Sequence, residues 1–392
     1  MKIEAVDFFY LSMPEVLDIG DGSQDALLVR IRAGGLEGWG ECEASPLTCI
    51  ASYVTPMSHS ACKPLKFSVE GKNIDGVEDL KKISDSVHRH SFDLLQADHT
   101  LSGIDIALWD LLGKKLNEPV YQLLGYKKAY PKLAYASQLF GETPEATFQK
   151  AKHAISAGFK AVKFGWAGFG KKDLKSDLDQ LVAAREGVGS EAYLMIDAGA
   201  VWIDNVSRAK ERIEALKKIN AYWLEEPFSN MDLTSYKKLS ETSCGIALAG
   251  GEGCNNFLQA QSMIQYGGLK FIQIDAGRIG GITVAKKVAD LAGQSGITYV
   301  NHTFTSNLAL SASLQPYAGI QNDILCEYPV ELKSLALDIT QTRIDPDDKG
   351  YLKVPDQPGL GVSMNTASFK QYLVDVEIFV KGKQIYHTPD LL

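Results

Sequence analysis

The side chains best suited to chemistry in this chain are seven polar residues that each close a short apolar run: Lys163, Asp197, Glu225, Glu252, Asp275, His302 and Glu327. Asp197, Glu225 and Glu252 close successive runs. If brought together unpaired they would repel one another and their pKa values would rise. A divalent cation removes that conflict, and all-oxygen ligation with room for water favours Mg²⁺ over Zn²⁺. Asp275 and His302 close the next two runs. An Asp on one ring nitrogen fixes the tautomer and raises the basicity of the other, as a general base requires. Lys163 could neutralise a substrate carboxylate or act as a second base. The plainer alternatives are ion pairs between these acids and Lys or Arg, and a structural histidine.

The spacing says what must position them. Successive gaps of 34, 28, 27, 23, 27 and 25 residues each hold one strand, loop, helix and loop. The runs, such as Tyr193-Leu194-Met195-Ile196-Asp197 and Phe271-Ile272-Gln273-Ile274-Asp275, are short and apolar, like strands of a parallel sheet buried on both faces. With Leu133-Ala134-Tyr135-Ala136 upstream they number eight. Amphipathic segments at 144–158, 205–220 and 281–296 supply helices between them. Eight alternations in roughly 215 residues predict a closed (β/α)₈ TIM barrel, whose strand C-termini line an active site. A doubly wound open sheet is the alternative, but it has no need for acids converging from successive strands.

A chain of 392 residues, 45% hydrophobic and 22% charged, has room for a barrel and one smaller domain. The net charge of −8 and pI near 5.5 argue against a nucleic-acid partner. The amino-terminal residues lack the apolar core of a signal peptide, and no run approaches membrane-spanning length, so a cytoplasmic protein is expected. Six cysteines (Cys42, Cys49, Cys62, Cys244, Cys254, Cys326) contain no Cys-x-x-Cys pair and are expected to be reduced thiols. Expected partners are a small-molecule substrate and further copies of the chain.

Outside the barrel the pattern changes. Residues 2–13 and 26–43 predict antiparallel strands, the second broken by a turn at Gly34-Gly35. Ser102-Gly103-Ile104-Asp105 reads as a capping box before a helix ending at Lys115. The segment 354–361 is turn-rich, and the tail from Phe369 is expected to return to the first domain. The predicted division is an α+β capping domain over the barrel mouth, residues 1–128 plus 355–392, and a barrel over 129–354.

Several motifs together carry a resemblance. Leu101-Ser102-Gly103-Ile104-Asp105-Ile106-Ala107-Leu108-Trp109-Asp110, Met195-Ile196-Asp197-Ala198, Trp223-Leu224-Glu225-Glu226-Pro227, Ala249-Gly250-Gly251-Glu252, Asp275 with Gly280-Gly281, Asn301-His302 and Pro358-Gly359-Leu360-Gly361 resemble the enolase superfamily, mandelate racemase subgroup. The resemblance spans nearly the whole chain and implies that superfamily's modified barrel. It also implies Asp197, Glu225 and Glu252 as Mg²⁺ ligands, Asp275 with His302 as the base, and Glu327 as a hydrogen-bond partner of the bound carboxylate or enediolate. Muconate-cycloisomerase-like branches are less similar, because they place a lysine where this chain has Asp275.

One departure selects among chemistries. The subgroup typically carries Lys-x-Lys on the second strand, the second lysine being a base; here the run is Lys163-Phe164-Gly165. A racemase needs an acid on the opposite face of the carbon, whereas a dehydration does not. The expected activity is therefore a Mg²⁺-dependent acid-sugar dehydratase of carbohydrate catabolism, taking the proton α to a carboxylate and expelling the 3-hydroxyl to give a 2-keto-3-deoxy acid. The alternatives are a racemase or epimerase of a 2-hydroxy or amino carboxylate with Lys163 as second base, and a non-catalytic carboxylate-binding barrel. In the family the early loops of the covering domain close over the substrate. That points to the loop 17–23, with Asp21 and Ser23, and to 45–56; the glycine-rich run after the second strand places Trp166 near the pocket.

Overall fold

The computed structural model describes residues 1–43, 45–242 and 245–391. The amino-terminal part builds an antiparallel sheet from β1 (Ile3–Ser12), β2 (Asp25–Ala33) and β3 (Leu36–Cys42), in that order. Gly34 and Gly35, at φ 58° and 76°, make the β2–β3 turn, a conformation that only glycine adopts without strain. The helix Ala97–Leu116 lies on β3. It comes so close that a Cβ on Gly40 would sit 2.1 Å from the Gly103 carbonyl oxygen. Glycine on both elements is what permits this contact, and it leaves Cys42 and Val29 against the same helix.

The carboxyl-terminal tail joins this domain. Ser12 N donates to Tyr372 O and Val374 N to Tyr10 O, both at 2.8 Å, so the tail adds main-chain pairing to the edge of β1. Arg30, buried and bound to Asp7 at 2.9 Å, also donates to the carbonyls of Asp390 and Leu391. The hairpin of residues 377–387 is held by Tyr386, whose hydroxyl donates to Phe8 O.

Among the described residues, eight parallel strands form the barrel: β4 (Lys132–Leu139), β5 (Ala161–Gly165), β6 (Tyr193–Asp197), β7 (Ala221–Glu225), β8 (Ala247–Gly250), β9 (Phe271–Ile274), β10 (Thr298–Asn301) and β11 (Leu325–Pro329). Each of β5 to β10 pairs with its predecessor, and β11 pairs with β4, which leaves β10 and β11 adjacent without a ladder between them. The β10–β11 seam is closed by a side chain. The Asn301 amide accepts from Glu327 N at 2.9 Å and donates to Glu327 O at 3.3 Å, reproducing a peptide group's pairing. Inside, Leu133, Tyr135, Ala161, Met195, Trp223, Ala249, Val300 and Leu325 pack as a dry layer beneath the strand ends. A short strand, Tyr351–Leu352, runs antiparallel to the start of β4.

Two local expectations are corrected. Residues 46–54 are a helix, not a loop: Pro46 occupies its first turn, and Cys49, Ile50 and Tyr53 are buried beneath it. Ser102 and Asp105 do not cap their own helix, which begins five residues earlier at Ala97. They cap the neighbouring helix Gly281–Gln294, whose N-cap is a glycine without a side chain. Ser102 Oγ accepts from Gly280 N at 2.8 Å, and Asp105 accepts from Thr283 N and Oγ1 at 2.9 and 2.6 Å. Cys42, Cys49, Cys62, Cys254 and Cys326 are free thiols, and Cys244 lies outside the described residues.

Candidate active site

Asp197 and Glu225 are the last residues of β6 and β7 and stand opposite each other in register. Glu252 follows β8 by two residues. The intervening Gly251 has φ 122°, and a Cβ there would lie 2.8 Å from Gln273 O, so only glycine turns the chain this closely past β9. Each of the three acids offers an oxygen within 4.8 Å of the others, and all three are buried. Burial, and then Glu225, push the Asp197 carboxyl well above the usual range; burial also raises Glu225. Glu252 is lowered: burial opposes its charge, but His302 and Arg278 outweigh it. Trp223 Nε1 and Gly199 N donate to Glu225 and Asp197 at 2.9 and 2.7 Å, orienting both groups. Three converging buried carboxylates that destabilise one another's charge fit a hard divalent cation such as Mg²⁺.

Lys163 and Glu327 are the middle residues of β5 and β11 and so lie deeper than the strand ends. Lys163 Nζ sits 2.5 Å from Glu225 Oε1, 2.8 Å from Glu327 Oε1 and 3.8 Å from Asp197 Oδ2. Burial disfavours its charge, yet Glu225 and Glu327 hold its pKa well above the ordinary lysine value. Glu327 also accepts from Ser137 Oγ and Thr303 N at 2.8 and 2.9 Å. Gly165, the position without the second lysine, lies against the acids. A Cβ there would fall 2.8 Å from Asp197 Oδ2.

Asp275 follows β9 and His302 follows β10. His302 Nδ1 pairs with Asp275 Oδ2 at 2.7 Å, and the other Asp275 oxygen accepts from Gly277 N at 2.6 Å. His302 Nε2 is thereby aimed into the site, 3.3 Å from Glu252 Oε2 and 3.9 Å from Glu327 Oε2. Burial opposes both charges. The hydrogen bond from His302 nevertheless holds Asp275 well below the carboxylate range, and Glu252, Glu327 and Glu43 hold His302 well above the imidazole range. The pair occupies the side of the site away from Gly165.

A cleft of ≈ 280 Å³ opens onto these groups and is lined by Lys163, Asp197, Glu252, His302 and Glu327, while Glu225 and Asp275 stand behind its wall. Asp21 and Trp166 also line it. Ser23 does not: its hydroxyl is bonded to Asp21 at 2.5 Å and accepts from Lys333 N. No residue of the helix 46–54 lines it either. Larger cavities, among them ≈ 530 Å³ behind β11 and ≈ 760 Å³ beyond Trp166, lie off the acid cluster, so chemistry rather than size locates the site.

Glu43 and Arg278 were not singled out from sequence. Glu43 follows β3 in the capping domain, and its carboxylate is hydrogen-bonded to Arg278, whose Nη1 is 3.7 Å from Glu252 Oε1 and Nε 3.9 Å from Asp275 Oδ2. The only trace in the sequence is an acid just beyond a strand, which is too common to stand out. Ser137 was missed for a similar reason, since a serine inside an apolar strand carries little signal.

Comparison with known proteins agrees with this geometry. Residues 146–368 match the family described as "Enolase C-terminal domain-like", and residues 14–125 match "Mandelate racemase / muconate lactonizing enzyme, N-terminal domain". An arabinonate dehydratase of Saccharolobus solfataricus is 28% identical over 69% of this chain and 71% of its own. A crystal structure described as a predicted mandelate racemase from Rhodobacter sphaeroides superposes with TM-score 0.95 at 51% identity, covering 99% of this chain and 100% of that one. A racemase from Streptomyces coelicolor with bound magnesium superposes with TM-score 0.80 at 25% identity, covering 95% of this chain and 100% of that one. With both of its parts matched and the acid cluster and Asp–His pair set on its strand ends, the chain belongs to the enolase superfamily, mandelate racemase subgroup.

Proposed function

We propose that this protein is an acid-sugar dehydratase. The observation that carries the reading is the asymmetry of the site. His302 Nε2 is the aimed, partnered base on one side, while on the other Lys163 is tied to Glu225 and Glu327 and position 165 is a glycine packed on Asp197. His302 takes the proton α to the substrate carboxylate, and Asp275 holds the imidazole in the required tautomer. The Lys163 ammonium faces the negative charge that develops on the carboxylate. Mg²⁺ held by Asp197, Glu225 and Glu252 supplies further electrostatic stabilisation of that charge. The C3–O bond then breaks. His302 returns its proton to the departing hydroxyl, which leaves as water, and the resulting enol takes up a proton at C3 as its 2-hydroxyl gives one up, yielding the 2-keto-3-deoxy acid.

Relatives named as dehydratases of arabinonate, D-gluconate and D-galactonate support this class. A screen of acid sugars with Mg²⁺ tests it by detecting 2-keto acids. Deuterium incorporation at the α carbon without a keto product would instead make it a racemase or epimerase with Lys163 as second base, a reading favoured by a relative named N-succinyl-L-Arg/Lys racemase. Failure to bind Mg²⁺ in calorimetry would return it to a carboxylate-binding barrel. The same reading carries a cytoplasmic location and a homo-oligomeric state, to be tested by fractionation and light scattering. Among the described residues, no helix is long and apolar enough to cross a membrane.

A further inference from the structure

Resting on the dehydratase reading, we infer that the cleft selects sugar acids with a single carboxylate, aldonic rather than aldaric, because its outer end is apolar and acidic. The inner end holds the triad, Lys163 and His302. The outer end is formed where the capping loop crosses the cleft, by Ile19, Gly20 and Asp21 above Leu139, Trp166 and Phe304. Trp166 is locked in place. Its backbone has φ 57°, and Cβ atoms on Gly20 and Gly199 would come within 2.8 and 2.9 Å of its indole, so both glycines seat the ring.

The charges of the lining are unevenly placed. Its cationic side chains are already committed: Lys163 to Glu225 and Glu327, Arg278 to Glu43, with Glu252 and Asp275 close by, and His302 to Asp275. The charged group of the outer end is Asp21. One of its oxygens accepts from Ser23 N at 2.8 Å; the other is 3.7 Å from Lys333 Nζ, a residue that does not line the cleft. A second substrate carboxylate would be desolvated beside Asp21 and Glu43 without an open cation among the residues lining the cleft, since Lys171 and Lys172 line the separate cavity beyond Trp166. A terminal hydroxymethyl group meets no such conflict, because a hydroxyl can donate to either carboxylate.

Matched pairs test this: gluconate against glucarate and galactonate against galactarate, each with Mg²⁺ and 2-keto acid detection. For any pair turned over, kcat/KM for the monoacid should exceed that for the diacid by about 100-fold, the scale of one like-charge contact in a partly wet cleft. Ile19→Lys, which brings an ammonium to the outer end, should narrow that ratio by at least about tenfold. A diacid turned over as well as its monoacid partner overturns the inference while leaving the dehydratase reading standing. If no pair is turned over, the dehydratase reading fails on its own, and melting-temperature shifts decide the charge preference. Larger shifts with the monoacids support it, and equal or larger shifts with the diacids overturn it.

Discussion

Asp197 and Asp275 stand on the same rim, 3% and 5% exposed, yet their surroundings drive them in opposite directions. Burial opposes the charge of both. The difference lies in the neighbours. Asp197 faces Glu225 and Glu252 with Lys163 at 3.8 Å, whereas Asp275 is bound to His302 at 2.7 Å and lies near Arg278. One half of the barrel mouth is therefore poised to accept a cation, and the other holds its own cationic partners. Identical side chains at equivalent strand ends acquire different chemistry from what the adjacent strands present.

The largest expected effect probes the base side. His302→Asn should lower turnover by about 10²–10⁴-fold, the usual contribution of a general base, while calorimetric Mg²⁺ affinity stays close to that of the parent protein. Equal loss of both would place His302 on the cation side and erase the division. Gly165→Lys probes the other half. Because its Cβ would press on Asp197 Oδ2, it should weaken Mg²⁺ by about 10–100-fold without creating α-proton exchange on both faces. Gain of racemisation would show that only the missing lysine separates the two chemistries.

The same substitution at the two aspartates should give opposite signs in EDTA-treated protein at pH 8. The Asp197 pKa is raised on folding, so stability is lost as pH rises from the unfolded value toward the folded one, and Asp197→Asn should stabilise by about 1–4 kcal/mol. The Asp275 pKa is depressed, so its charge contributes stability above the unfolded value, and Asp275→Asn should destabilise by about 3–5 kcal/mol. Unfolding midpoints of the same sign would contradict the contrast.

The smallest effect is remote from the rim. Burial pushes Asp105 up to about 7 even though Thr283 donates to it twice. The folded state therefore retains a proton that the unfolded chain loses near pH 4, and stability should fall as pH rises from about 4 to 7. Asp105→Asn should flatten that slope by about 2–4 °C in melting temperature, and an unchanged slope would remove Asp105 as its source.

The periodic rungs made the barrel and the triad readable, because a strand end every 23 to 34 residues is a local property repeated along the chain. Ser102 and Asp105 show where locality fails. Their spacing signalled a helix start correctly, but the start they satisfy is Gly281's, not their own. Glu43 and Arg278 are 235 residues apart, and neither carries a mark of the other. The run 45–56 reads as a covering loop from the family resemblance alone, whereas residues 46–54 fold as a helix that packs Cys49, Ile50 and Tyr53 inward.

What the sequence by itself determined is the inventory and its order: three acids, then an Asp and a His, on consecutive βα units, with glycine where a second lysine would stand. Residue type and periodicity carry that much, since each strand turns the residue at its end toward the barrel axis. Only the tertiary structure decided that Lys163 sits below the rim between Glu225 and Glu327, that Gly165 lies against Asp197, and that a capping carboxylate meets Arg278 beside the Asp–His pair. Those are contacts between distant segments, and their charges act through distance and burial, which exist only once the chain has closed.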